Sequence, residues 1–233
     1  MADKHLSSQF DQELGRLSTR VMAMGGLVEA QIRQAVHALA TFGSDEADQV
    51  RQTEARVNEM EREIDHELTT IIARRQPTAV DLRLLLAISR TTANLERVGD
   101  EAAKIARMVQ SILHAGGARR LPASELQVAG GMAVGQLRKA LDALARLDTE
   151  AALEIIREDD RIDQEFDGFV RKLITYMMED PRTISAGLDL LFVAKAIERI
   201  GDHAKNIGES IIYIVKGADV RHSTMAQVEQ AAR

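Results

Sequence analysis

This sequence predicts an all-α fold, a tandem repeat of two antiparallel three-helix bundles with six long helices in all. Three observations carry that prediction. Asn94-Leu-Glu-Arg-Val-Gly-Asp-Glu-Ala-Ala-Lys-Ile105 returns as Ala196-Ile-Glu-Arg-Ile-Gly-Asp-His-Ala-Lys-Asn-Ile207, and an internal repeat of this kind fixes the architecture before any single element is read. Aromatic residues make up only 3% of the chain, with no Trp and three prolines, against 45% apolar and 28% charged residues. A balance dominated by strong helix formers suits helices rather than sheets. Around the repeated segment, Ile88, Leu95, Val98, Gly99, Ala102, Ala106, Val109 and Ile112 fall on one helical stripe.

The first helix is expected from about Ser7, as N-cap, to Thr41. Gly43-Ser-Asp45 breaks the chain and opens a second helix ending near Arg75. Gln76-Pro77-Thr78 turns the chain into a third helix that runs to about His114. The second half repeats the plan, with a helix to about Leu147, a break at Asp148-Thr149, a helix to about Met178, the Asp180-Pro181 turn and a helix to about Lys216. The domains are therefore 1–115 and 123–217, joined by a Gly-rich linker over 116–122. Residues 218–233 read as a disordered tail. The first helix of each half also repeats: Gly25-Gly26, Gln31, Arg33, Ala35 and Leu39 return as Gly130-Gly131, Gln136, Arg138, Ala140 and Leu144, an offset of 105 (136 − 31). Set against 102 for the third helices (201 − 99), this predicts a three-residue length difference near the first inter-helix connection.

Composition excludes several functions. With no cysteine there is no disulfide, no thiolate chemistry and no cysteine-based zinc site. A net charge of −6 with few aromatics is unsuited to nucleic acid, which needs a basic face and stacking surfaces. Charges interrupt every apolar run well short of ~18 residues, so no membrane span is expected, and the amino terminus has no apolar signal core. A cytoplasmic protein is the default expectation.

The candidate site is acidic. Glu61/Asp65, Glu96/Asp100, Asp163/Asp167 and Glu198/Asp202 are pairs four apart, which sets two carboxylates side by side on each helix face. One such pair means nothing in a chain holding 36 acids, but the two members of each set recur at one spacing (163 − 61 = 198 − 96 = 102). Each leading acid follows a stripe residue (Met60, Leu95, Ile162 or Ile197), so each pair lies ~100–140° round from the buried face. Neighbouring antiparallel helices would then aim four carboxylates into one groove per half. An all-oxygen set suits Fe³⁺, Mn²⁺, Mg²⁺ or Ca²⁺, and also admits Zn²⁺. The alternative is a set of exposed ion pairs with Arg97 and Arg199, each worth under ~1 kcal/mol. His66 and His203 point away from the groove on the same geometry. Gly99 and Gly201, inside helices at ~1 kcal/mol each relative to Ala, mark close helix approach or a crowding ligand.

At these residues the chain resembles the PhoU family, phosphate-specific transport system accessory proteins that restrain the phosphate-starvation response. The likeness runs from Phe10 to His222 and includes Met22-Ala-Met-Gly-Gly26, Arg75-Gln-Pro-Thr78, Asp81-Leu-Arg83, Tyr176-Met-Met-Glu-Asp180 and both Glu-Arg-x-Gly-Asp segments. The resemblance implies two three-helix bundles, a homodimer, and multinuclear iron or zinc clusters on the Glu/Asp-x-x-x-Asp motifs. It also implies a signalling link between a phosphate ABC importer, through its ATPase subunit, and a sensor histidine kinase. The competing expectation is a ferritin-like di-metal carboxylate enzyme. That chemistry wants two Glu-x-x-His motifs, and the bundles hold only Glu63-x-x-His66.

Overall fold

A computed structural model describes residues 8–115 and 122–232 of the chain. The predicted N-cap Ser7 and the linker at 116–121 lie outside the described residues. Six long helices are present: α1 (Ser8–Thr41), α2 (Ser44–Arg75), α3 (Ala79–His114), α4 (Ser124–Arg146), α5 (Thr149–Glu179) and α6 (Ile184–Lys216). A 3₁₀ turn, Pro181–Thr183, precedes α6, and a short seventh helix, α7 (Met225–Ala232), follows it. No strand occurs among the described residues.

Local chemistry sets the breaks. Gln76 and Leu147 end α2 and α4 in the left-handed region at φ 46 and 51, and Gly217 ends α6 at φ 73. Asp148 caps α5, its Oδ1 accepting from the Ala151 amide at 3.0 Å. At the head of α3, the Thr78 hydroxyl donates to Asp81 Oδ2 at 2.9 Å, and that carboxylate suits the positive end of the helix dipole.

Helices α1, α2 and α3 pack together, as do α4, α5 and α6; α3 against α6 and α1 against α4 join the halves. One continuous apolar core runs through both, with Leu17, Met24, Ile32, Ile64, Leu95, Ile105, Leu137 and Ile155 fully buried. The α1–α4 contact is reciprocal. A Cβ placed on Gly25 would stand 2.6 Å from Leu141 Cδ2, and one on Gly130 2.6 Å from Val36 Cγ2. Both partners obey the same offset, since 130 − 25 = 141 − 36 = 105. Each half thus lends a side chain to a notch in the other. Gly131, next in sequence, faces open space. Gly130→Ala is expected to cost about 1–2 kcal/mol, because Val36 is stiff at χ1 and cannot yield cheaply. Gly131→Ala should instead stabilise by up to ~1 kcal/mol through helix propensity. Urea unfolding of the pair checks this, and equal effects would contradict the notch.

Two expectations need correction. The three-residue difference lies at the second connection of each half. Both first connections have two residues, Phe42–Gly43 and Leu147–Asp148. The second half is instead shorter between the start of α5 and the Asp180 cap (180 − 149 = 31) than the first is between the start of α2 and Thr78 (78 − 44 = 34). Residues 218–232 are also ordered against the body of the protein. Val220 and Val228 are buried, α7 packs on α5 and α6, and Arg157 pairs with Glu229. Small apolar residues spaced along a polar segment gave the tail its loop-like character, but burying two valines is worth about 1.5–3 kcal/mol apiece.

Candidate functional site

The position of the length difference decides which acids meet. The second helices share the offset of the first ones: Val50, Val57, Ile64 and Leu68 on α2 are buried, and so are Ile155, Ile162, Phe169 and Leu173 on α5, each 105 later. The α3 and α6 helices keep the offset of 102. Glu54 therefore corresponds to Asp159, and Asn58 to Asp163, whereas Glu61 corresponds to Phe166.

In the first half the site forms where Gln31 of α1, Glu54 of α2 and Gly99 of α3 meet. Gln31, on α1 and 1% exposed, donates from Nε2 to Glu54 Oε2 at 2.8 Å and to the Val50 carbonyl at 3.2 Å. Gly99 on α3 makes room for both. A Cβ there would lie 3.1 Å from Gln31 Oε1, 3.2 Å from Glu54 Oε2 and 3.3 Å from Val57 Cγ1. Close side-chain approach thus accounts for this mid-helix glycine. Glu96 and Asp100 flank it on α3. Burial lifts the Glu96 carboxyl to about 7, reinforced by the Asp100 and Glu61 charges. Burial likewise raises Glu54, against the Gln31 hydrogen bond and with the help of Asp100. Glu54 Oε1 has no hydrogen-bond partner among the described residues. Glu61 sits at the edge, raised by burial and then by Asp65. Its neighbour Asp65 is exposed.

The second half repeats the arrangement. Gln136 donates to the Ile155 carbonyl at 3.1 Å, as Gln31 does to Val50. Gly201 gives space to Ile162, Gln136 and Asp159 at 2.9, 3.2 and 3.5 Å from a notional Cβ. Asp159 is only 2% exposed. Burial raises Asp202 to about 6, with the Glu198, Asp159 and Asp163 charges adding to it. Asp163 is raised by burial and then by Asp159 and Glu198. Asp167 is exposed and occupies the place of Arg62, on the solvent side of its helix.

Of the eight acids singled out in the sequence, the structure thus brings Glu96, Asp100 and Glu61 together in one half and Asp163, Glu198 and Asp202 in the other. It leaves Asp65 and Asp167 at the margin. Sequence reasoning missed Glu54, Asn58, Asp159 and the two buried glutamines. The offset of 105 visible in the first helices, carried on into the second, would have paired Glu54 with Asp159. Among the described residues no three His, Asp or Glu side chains converge on one ligating point.

His203 belongs to a different network. Its Nδ1 donates to Asn94 Oδ1 at 2.9 Å, which also accepts from Asn206 at 3.1 Å, while Asn94 Nδ2 donates to the Arg90 carbonyl. Burial, with Arg199 and Arg97 nearby, depresses His203 to about 4 and keeps it neutral. This network and the Arg199–Glu101 ion pair, 2.7 Å but bent off hydrogen-bond geometry, bind α3 to α6. His66 is exposed on α2, and Glu63 beside it pairs with Arg20 and Arg56. The one Glu-x-x-His motif in the bundles therefore faces basic side chains, away from the carboxylate clusters.

Comparison with known proteins follows this geometry. The chain matches the model of the PhoU domain twice, over residues 21–109 and 126–211. It is 51% identical over 233 residues to the phosphate-specific transport system accessory protein PhoU homolog of Burkholderia sp, covering 100% of this chain and 99% of that protein. The phosphate-specific transport system accessory protein PhoU of Escherichia coli (strain K12) is 48% identical over 94% of this chain and 90% of its own. The crystal structure of PhoU from Pseudomonas aeruginosa is similar with a TM-score of 0.87 and 44% identity, covering 90% of this chain and 100% of that one.

Proposed function

Because the chain belongs to the PhoU family, the accessory proteins of phosphate-specific transport, we propose that it is a non-enzymatic negative regulator of phosphate uptake and of the phosphate-starvation response. In this reading it acts in the cytoplasm, as a homodimer, between a phosphate ABC importer and a sensor histidine kinase. The match of both repeats to one domain along the whole chain carries the reading. Two physical features support it. No helix among the described residues is long and apolar enough to cross a membrane. Met178, Ile184, Leu188 and Phe192 stay exposed along the α5–α6 hairpin, an apolar strip of the kind protein contacts cover.

The two carboxylate clusters are proposed to hold metal ions, iron or zinc first and Mn, Mg or Ca after them. The donor chemistry suits a hard cation: burial, with neighbouring carboxylate charges adding to it, raises the Glu54, Glu61 and Glu96 carboxyls in one half and those of Asp163 and Asp202 in the other. Each half also leaves buried oxygens without a partner, Gln31 Oε1 and Glu54 Oε1 in one, Gln136 Oε1 and Glu198 Oε2 in the other. Glu54, Glu61, Glu96 and Asp100 would hold the ion in the first half, and Asp159, Asp163, Glu198 and Asp202 in the second. A bound ion would supply positive charge that locks three helices of a bundle together. The chain's own part is to position the acids, through Gln31 and Gln136 below them and the glycine notches beside them.

Deleting the gene in its host is expected to switch on starvation genes at high phosphate. Unchanged expression would remove the regulatory reading. A ferritin-like oxidase is disfavoured by the placement of Glu63 and His66, and oxygen uptake by the iron-loaded protein is expected to be nil.

A further inference from the structure

The two carboxylate clusters differ in what neutralises them. In the second, Lys205 Nζ lies 2.8 Å from Asp159 Oδ2, whose side chain is 3% exposed, and Lys195 Nζ lies 2.6 Å from Glu198 Oε1. Both lysines are on α6, one turn to either side of the Glu198–Asp202 pair. Their counterparts on α3, 102 residues earlier, are Ala103 and Ala93. Ala103 is buried and carries no charge. In the first half Arg97 Nε stays 3.6 Å from Glu96 Oε2 and its side chain is 63% exposed, a contact that solvent largely screens.

We propose that Lys205 is a tethered counter-ion that occupies the second site in place of a metal, so that the two halves take up divalent cations unequally. This rests on the metal reading above and deepens it. An ammonium at 2.8 Å uses a lone pair of the most buried carboxylate and cancels its charge. An incoming ion must break that pair and leave the ammonium among like charges before it gains a ligand. In the first half the same position offers only a methyl group, and the Glu54 carboxylate is steadied by a neutral amide, Gln31, which a cation need not displace. Buried amide oxygens with no partner, on Gln31 and Gln136, point into both sites, so each half retains a place for a cation. Beyond the exchanges of Asn58 for Asp163 and Glu61 for Phe166, what separates them is the lysine on the most buried carboxylate. The repeat therefore gives one site open to exchange with the medium and one held closed by its own side chain, with Lys205 selecting which.

The test is Mn²⁺ titration of the full chain stripped with a chelator, read by EPR of free Mn²⁺, with the melting temperature followed in parallel. The wild type is expected to show one tight phase and a second at least ten-fold weaker. Glu96→Gln with Asp100→Asn should delete the tight phase and leave the weak one, which assigns them. Lys205→Gln and Lys205→Met should each tighten the weak phase about ten-fold or more and enlarge the rise in melting temperature on adding Mn²⁺. Lys205→Arg, which keeps the pair, should behave as wild type. Two equal phases in the wild type, or a second phase that both neutral variants leave unchanged, would overturn the inference while the metal reading stands. Absence of Mn²⁺ binding in every variant would overturn both.

Discussion

The metal-free protein is expected to lose about 1 kcal/mol of stability between pH 6.5 and 8, and Glu96→Gln to abolish that loss. The sign follows from linkage. Glu96 has its carboxyl raised to about 7 against an ordinary 4.5, so above pH 4.5 the folded state holds a proton that the unfolded state has released. Its favourable contribution is complete below the unfolded value and disappears as pH rises through 7. Asp202, raised to about 6, acts in the same direction somewhat lower. His203 opposes both. It is depressed to about 4 from 6.5, so its contribution grows as pH rises through 6.5 and levels off about one unit above it. The two effects offset one another below pH 6.5, the opposition from His203 fades over the next pH unit, and the carboxylates act alone above that. Asp219, held at about 2 by Arg221, has finished titrating far below this window. At pH 8 Glu96→Gln should stabilise the chelated protein by about 2 kcal/mol, less than the full linkage value because the site keeps some water. Urea unfolding with chelator at pH 6.5, 7 and 8 measures this, and a flat or rising wild-type curve would refute it.

The second large effect concerns binding. Replacing Glu96, Asp100, Glu198 and Asp202 together with Gln or Asn is expected to abolish metal retention while the far-ultraviolet circular dichroism keeps its helical form. Disturbing even the outer partners of a metal typically costs ten- to a hundred-fold in affinity, and this change removes two oxygen anions from each half. The fold should persist because the core lies on other faces, in Leu95, Val98, Ile197 and Ile200, and because the acids repel one another without a cation. Collapse of the helical signal in chelator would show that these four side chains are structural.

Most of the architecture was legible in the sequence because its signals were redundant. The helical stripe from Ile88 to Ile112, the Pro77 and Pro181 turns and the repeat itself all pointed to the same six helices. The register of the second helices was not legible. Glu61-Arg-Glu-Ile-Asp65 and Asp163-Gln-Glu-Phe-Asp167 look alike at 102, yet burial at Val57 and Ile162 aligns the helices at 105. Local likeness between two acidic stretches hid a shift that only the core face reveals. Hence Glu54 and Asp159, the most enclosed acids of the clusters, went unseen while Asp65 and Asp167 were favoured. Lys205 shows a related limit: its exchange for Ala103 is visible at the offset of 102, but that it meets Asp159 emerges only from the fold.

The reciprocal notches of α1 and α4 carry one more implication. A chain holding a single repeat would own both the peg and the hole, and two copies could clasp each other about a dyad with nothing added. Such self-matching contact is the hallmark of isologous dimers. Joined in one polypeptide, the two copies need no longer be identical, and each becomes free to acquire residues its twin lacks.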